Sequence, residues 1–301
     1  MNPLDTSWLR GHPLPPIVSG DKNARGRVLV VGGAEFVPGA LRLTGEAALR
    51  AGSGKLQLAT VRGAAMALAV LVPEAAMIAL PADDQGEIAF EAAALLTERL
   101  GRCDTLVLGP GMSASKRTER LVAAILKEAG PDTRIILDAA AMTCARNLQE
   151  LVSSRNGNVV MTPHYQEMSY LTGQDVEIIA AKPSLAASRV ADQFNSVVVL
   201  KGVQTIIACP GRPPLLFEGG SPGLATGGSG DVLAGIIGGI AARGADALTA
   251  AGWGVYVHGA AGEKAATEIA TIGFLARDLL PLLPGLIEEL VATVPALSSQ
   301  N

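Results

Sequence analysis

The chain is short of charge, of pairable cysteine and of long unbroken apolar runs, and each shortage removes a class of protein. Charged residues fill 17% of 301 positions, where about a quarter is usual. The 24 Lys and Arg stand against 28 Asp and Glu, for a formal net charge of -4. That balance gives no general attraction to phosphate backbones or anionic lipid, so neither a nucleic acid nor a membrane surface is the expected partner. Mean hydropathy is +0.35, yet the apolar stretches 232–242 and 247–257 are broken by Arg243 and Asp246 and are each too short to span a bilayer. Cys103, Cys144 and Cys209 are odd in number and lack CxxC spacing, and the chain starts without a charged segment leading into an apolar one. A reduced, cytoplasmic protein is expected. Walker A, paired-histidine metal and CxxC zinc motifs are also missing.

What is present is ample core material, 49% apolar with 35 glycines. Residues 1–25, with Pro3, Pro13, Pro15, Pro16, Gly11 and Gly20, show no sustained periodicity and are expected to be an arm. No proline-rich or charged linker divides residues 26–301, which are expected to form a single α/β domain. Within it, apolar runs repeatedly end in something polar or flexible. Residues 28–31 close at Gly32-Gly33 and lead into a helix over 39–51. Residues 56–60 follow, and 105–108 close at Gly109-Pro110-Gly111 before an amphipathic stretch, 116–129. Residues 134–137 end at Asp138, 158–161 at Thr162-Pro163, and 196–200 at Lys201-Gly202, while 231–294 read as mostly helical. Ligands of open α/β sheets bind outside the carboxyl ends of the strands, so these ends are expected to converge on one site.

Thr226-Gly227-Gly228-Ser229-Gly230-Asp231 opens an apolar helix. Its glycines turn N–H groups toward an anion, and the helix start adds unpaired donors and positive dipole. Asp231 reads either as the base that takes a proton from an attacking hydroxyl or as an ordinary helix cap. Lys201-Gly202-Val203-Gln204-Thr205 reads as a turn between two strands. It is either solvated or placed so that Lys201 meets phosphate and Thr205 meets phosphate or ribose. Thr162-Pro163-His164-Tyr165-Gln166-Glu167 puts a histidine and an acid at another strand end, with a structural or a binding role equally open. Three further matches compete: GxGxxA at 109–114 with Asp138 for a Rossmann dehydrogenase, GxSxG at 219–223 with His258 for a hydrolase, and SxxK at 113–116.

Taken in order, Val30-Val31-Gly32-Gly33 with Gly39-Ala40, Gly109-Pro110-Gly111, Leu137-Asp138, Thr162-Pro163-His164 with Glu167, Lys201-Gly202 with Thr205, Gly227-Gly228-Ser229-Gly230-Asp231, and His258-Gly259 with Gly262 resemble the ADP- or ATP-dependent NAD(P)H-hydrate dehydratases. These are a carbohydrate-kinase-like branch of the ribokinase-like fold. The resemblance implies an α/β three-layer sandwich with a mostly parallel central sheet and helices on both faces. It implies that Ala40, Gly111 and His164 bind hydrated NADH or NADPH, and that Asp231 acts on the ring hydroxyl within the cradle of Gly228 and Gly230. It further implies that Lys201, Gly202, Val203, Gln204, Thr205 and Gly230 hold the adenine nucleotide, ADP or ATP, and that Glu167 stands near Mg²⁺. Relatives assemble as homo-oligomers, and the chain lacks room for the epimerase domain of some of them, so a separate epimerase protein is expected.

The sequence also departs from that pattern. Ala140 stands where the family has a second acid, which bears on nucleotide or metal handling. Tyr165-Gln166 replaces a Pro-Gly pair, which bears on the substrate side of the pocket. A ribokinase-like kinase with another acceptor and a non-catalytic dinucleotide-binding protein are the alternative functions.

Overall fold

The apolar runs that close on glycine, acid or lysine form the middle of one ten-stranded sheet. The structure is a computed structural model that describes residues 1–16 and 22–293. Its strands are β1 (Asn2–Pro3), β2 (Arg27–Val31), β3 (Lys55–Val61), β4 (Ala76–Leu80), β5 (Thr105–Leu108), β6 (Arg134–Leu137), β7 (Val159–Met161), β8 (Val197–Leu200), β9 (Thr205–Ala208) and β10 (Leu215–Phe217). Their order is β1-β10-β9-β8-β7-β6-β5-β2-β3-β4. From β8 to β4 every pairing is parallel, while β9 runs antiparallel to both β8 and β10.

Alternation along each strand explains the unbroken apolar runs. Val28, Val30, Val107 and Ile136 enter one buried cluster, and Leu29, Val31, Leu106, Leu108, Ile135 and Leu137 enter another on the opposite face. A strand covered on both sides has no polar face to show. The first cluster is closed by the helices Gly39–Arg50, Ser229–Ala242, Ala247–Glu268 and Leu283–Thr293. The second is closed by Ala92–Leu100, Lys116–Glu128, Ala139–Cys144 and Pro183–Phe194. The three-layer arrangement expected from the sequence is the one observed. Each fully buried Leu or Val in it contributes roughly 1.5–3 kcal/mol.

Two features position the site. After β4 the chain returns to the far side of β2 to lay down β5, so the strand order reverses between β2 and β5 and leaves a crevice at their carboxyl ends. On the face above, the helices Ser229–Ala242 and Gly39–Arg50 cross with their backbones touching. A Cβ at Gly235 would lie 2.2 Å from Thr44 O, and one at Gly239 would lie 2.4 Å from Ala48 O. That contact is available only to glycine, and it fixes where the amino end of the first helix emerges.

Residues 2–12 are packed on the domain and differ from the arm expected of 1–25. β1 pairs with β10, and the helix Thr6–Gly11 is capped by Asp5 Oδ1 accepting from Trp8 N at 2.9 Å. Leu9 is fully buried, the Trp8 ring lies over Gly252, and Trp253 Nε1 donates to His12 O at 2.7 Å. Gly20 and Val294 lie outside the described residues. Among the described residues no helix is long and apolar enough to cross a membrane.

Candidate active site

The carboxyl ends of β2 and β5 meet directly. Gly33 N donates to Pro110 O at 2.7 Å, and a Cβ on Gly111 would lie 2.7 Å from Val37 O and 3.0 Å from the Ala40 Cβ. Ala40 and Gly111, expected on the substrate side, are therefore neighbours. Gly109 takes φ +114°, and a Cβ there would lie 2.0 Å from Asp138 O. This glycine lets the end of β5 pass against the end of β6.

Asp138 is 3% exposed and has partners on two sides. Thr162 Oγ1 donates to its Oδ1, and so does Lys201 Nζ at 3.3 Å. Sequence reasoning placed Asp138 at a strand end expected to converge on the site but gave it no role there. Its position at the end of a buried strand was the available signal. The next residue, Ala139, holds φ +47°, a conformation that costs an L-residue of order 1 kcal/mol and is found where the surroundings fix it. Ala140 is buried in the core.

Lys201 is tied to the end of β7, its N–H donating to Pro163 O at 2.8 Å. Its Nζ lies 3.9 Å from Glu167 Oε2. Burial opposes the charge of this ammonium, but Asp138, Glu167 and Asp231 outweigh burial and raise its pKa. Glu167 and His164 form a reciprocal cap of the helix Tyr165–Thr172. His164 N donates to Glu167 Oε2 at 2.8 Å, and Glu167 N donates to His164 Nδ1 at 3.1 Å. The other face of the His164 ring is open, with 52% of the side chain exposed.

The turn from Lys201 to Thr205 joins β8 to β9 as expected, with Gly202, Val203 and Gln204 exposed. Gln204 Nε2 donates to Glu218 Oε1 at 2.8 Å. Tyr165 leans on this turn, since a Cβ at Gly202 would lie 2.6 Å from Tyr165 Cε2. The departure from the family pattern at Tyr165 thus presses on the Lys201 turn.

Gly228, at φ +88°, is the cap residue of the helix Ser229–Ala242, so Asp231 is not the cap but lies in the first turn. Among the described residues no side chain or N–H donates to the Asp231 carboxylate. Oδ2 lies 3.9 Å from the place of a Cβ on Gly228, and Lys201 Nζ lies 3.3 Å from that of a Cβ on Gly230. Acid, cradle and ammonium are therefore adjacent. Burial first, then the Asp138 charge, pushes the Asp231 carboxyl up to about 7 against the opposing pull of Lys201. A carboxyl of that kind is a proton acceptor matched to neutral pH.

Two competing motifs lose their geometry. The helix that follows the 109–114 glycines begins only at Lys116, capped by Ser115, so it does not open on them as the strand–turn–helix of a dinucleotide fingerprint does. Ser221 caps the short turn Pro222–Leu224, and His258 Nε2 meets Ser229, not Ser221. In the third match, Ser113 N donates to Glu87 Oε2 and Lys116 is exposed.

The acid excess also bears on a metal. Asp138, Glu167 and Asp231 face one ammonium, and all offer oxygen, the ligand a hard cation takes. Among the described residues there is no cluster of three or more His, Cys, Asp or Glu shaped to hold an ion unaided. The donor set fits Mg²⁺ arriving with nucleotide phosphates, which needs only one or two carboxylates from the protein.

Comparison with known proteins gives the chain its family. The profile of the family described as NAD(P)H-hydrate dehydratase matches residues 28–284. The chain is 45% identical over 282 residues to an ADP-dependent (S)-NAD(P)H-hydrate dehydratase of Xanthomonas campestris, covering 94% of each chain. It is 37% identical over 298 residues to a bifunctional NAD(P)H-hydrate repair enzyme of Moorella thermoacetica, covering 97% of this chain and 56% of that one. Among solved structures it is similar to a ribokinase-like superfamily protein of Enterococcus faecalis, with TM-score 0.83, 27% identity and 96% of each chain covered. It is also similar to the ADP/ATP-dependent NAD(P)H-hydrate dehydratase of Bacillus subtilis co-crystallised with ATP and Mg²⁺, with TM-score 0.80 and 28% identity, covering 96% and 98% of the two chains.

Proposed function

The chain belongs to the NAD(P)H-hydrate dehydratase family, and we propose that it returns the S form of hydrated NADH or NADPH to NAD(P)H at the expense of ADP or ATP, with Asp231 as the base. The observation that carries this reading is the adjacency of the Asp231 carboxylate, without a hydrogen-bond donor among the described residues, the Gly228–Gly230 cradle and Lys201.

Hydroxide is a poor leaving group, so the ring hydroxyl must first be converted into a better one. Asp231 takes its proton while the oxygen attacks the terminal phosphorus of the nucleotide. An O–P bond forms, the bridging P–O bond breaks, and AMP or ADP departs. The N–H groups of the cradle and the Lys201 ammonium meet the charge that builds on the phosphoryl oxygens. Electrons of the ring nitrogen then expel phosphate, and the neighbouring ring carbon gives its proton to the released phosphate or to water, which restores the double bond. Asp138 and Glu167 are the residues that would hold Mg²⁺, which supplies charge neutralisation at the phosphates.

Ala40, Gly111 and His164 form the dinucleotide side, and the Lys201–Thr205 turn forms the nucleotide side. Residues 26–301 act as one catalytic unit, and interconversion of the two hydrate epimers falls to another activity. Cys103, Cys144 and Cys209 are unpaired, which suits the reducing cytoplasm.

The test is spectroscopic. Protein, hydrated NADH, Mg²⁺ and either ADP or ATP should restore the absorbance of reduced nicotinamide and release one phosphate per turnover. Accumulation of a phosphorylated acceptor without that recovery would overturn the dehydratase in favour of a kinase.

A further inference from the structure

The reaction above leaves His258 without a task. It sits on the helix Ala247–Glu268 with its ring against the first turn of the helix Ser229–Ala242, Nε2 lying 3.1 Å from Ser229 O and 3.0 Å from Ser229 Oγ. A carbonyl oxygen can only accept, so Nε2 carries the proton and donates. The Ser229 hydroxyl, at the same nitrogen, shares that proton as an acceptor. Burial, with help from the Lys201 charge, pushes the imidazole down to about 4 against the raising effect of the Ser229 main-chain bond, so the ring is neutral.

Ser229 O and Gly230 N–H belong to one planar trans peptide, in which the two bonds point in opposite directions. Holding the oxygen toward His258 aims Gly230 N–H the other way, and donation to the oxygen polarises the amide. We propose that His258 is a positioning residue for phosphoryl transfer: its Nε2–H holds the Ser229–Gly230 peptide in the orientation from which Gly230 N–H meets the transferring phosphoryl group. The inference rests on the reading of the Gly228–Gly230 turn as the phosphate cradle.

His258→Gln keeps an N–H at similar reach, whereas His258→Leu removes it. Kinetics on the whole protein should show kcat falling about 10- to 100-fold in His258→Leu, less than the roughly 10²- to 10³-fold lost when an oxyanion donor is removed, because the Gly230 N–H is misaimed and not absent. KM for ADP should stay within about threefold, and His258→Gln should recover most of the loss. A merely structural histidine would lower the unfolding temperature without this split or rescue. A second readout is independent of turnover. In ¹⁵N-labelled protein the Gly230 amide should shift when ADP and Mg²⁺ are added to the wild type and to His258→Gln, and should not shift in His258→Leu.

Equal kcat in wild type and His258→Leu, or a Gly230 shift that survives His258→Leu, overturns the inference. A wild type without turnover whose Gly230 shift depends on His258 would remove the dehydratase reading and leave this inference standing. If the leucine variant does not fold, His258→Asn, whose amide stops short of Ser229 O, takes its place with the same expected loss.

Discussion

Asp104 and Asp231, at opposite ends of the parallel strands, treat charge in opposite ways. At the amino ends, Arg27 meets Asp104 with two prongs, Nε to Oδ2 at 3.0 Å and Nη2 to Oδ1 at 2.9 Å, and Arg27 N adds a third bond at 2.8 Å. Burial alone would raise the Asp104 carboxyl, but the hydrogen bonds and charge of Arg27 hold it below the usual range. At the carboxyl ends, burial pushes Asp231 the other way, up to about 7, and no donor among the described residues compensates. A fully partnered acid holds the fold together. An acid kept from partners beside a cradle of N–H groups is held ready for a proton.

Removing the unpartnered acid should do the most damage to chemistry and the least to the fold. Asp231→Asn is expected to lower kcat about 10³-fold or more, within the range general-base catalysis supplies. Its midpoint of urea unfolding should not fall, because no hydrogen bond to the carboxylate among the described residues is lost. Survival of turnover within about tenfold would break the contrast.

A smaller effect is expected from the neighbour that tempers Asp231. The base works only when ionised, so kcat/KM of the wild type should rise with pH through about 7 and level off above it. Lys201 favours the ionised form. Lys201→Met should therefore move that midpoint to higher pH while costing about 10- to 100-fold in kcat/KM through the lost phosphate contact. A midpoint moving to lower pH would contradict the assignment.

Stability changes come next in size. Gly235→Ala forces a Cβ to within 2.2 Å of Thr44 O. It should cost about 1–3 kcal/mol in denaturant unfolding, as overpacking does. Turnover of the fraction that remains folded should also drop, because the Asp231 helix is displaced. The smallest effect belongs to the amino end. Arg27 and Asp104 are 42% and 34% exposed, so Asp104→Ala should cost only about 1 kcal/mol and leave kcat within about twofold.

Much of the fold was legible in the sequence, for identifiable reasons, while the Arg27–Asp104 pair was not. Strands buried on both faces read as unbroken apolar runs, and 28–31, 105–108 and 134–137 agree with β2, β5 and β6 to within a residue. The polar residue that ends each run marks the end of the sheet where the candidate site lies, which drew attention to Lys201 and to His164, whereas Asp231 was drawn out by the glycine turn that opens its helix. The arm was misread because β1 has only two residues and the helix Thr6–Gly11 is a turn and a half. What orders them is tertiary, Trp8 over Gly252 and Trp253 bonded to His12, and local periodicity carries no trace of that. β4 and the alanine-rich helix Arg62–Leu71 lacked the β-branched or alternating pattern that would have drawn them out. The position of Tyr165 was legible as a departure, but the direction of its ring was not, because a side chain's heading depends on a partner, Gly202, distant in sequence.

The most direct test of the account runs Asp231→Asn and Asp104→Ala side by side through turnover of hydrated NADH with ADP or ATP and through urea unfolding. The account predicts a crossed result: Asp231→Asn loses turnover and keeps its stability, while Asp104→Ala loses stability and keeps its turnover. If both variants lose the two properties together, or if Asp231→Asn still restores the reduced-nicotinamide absorbance at a rate near that of the wild type, the division between a structural and a chemical end of the sheet is wrong.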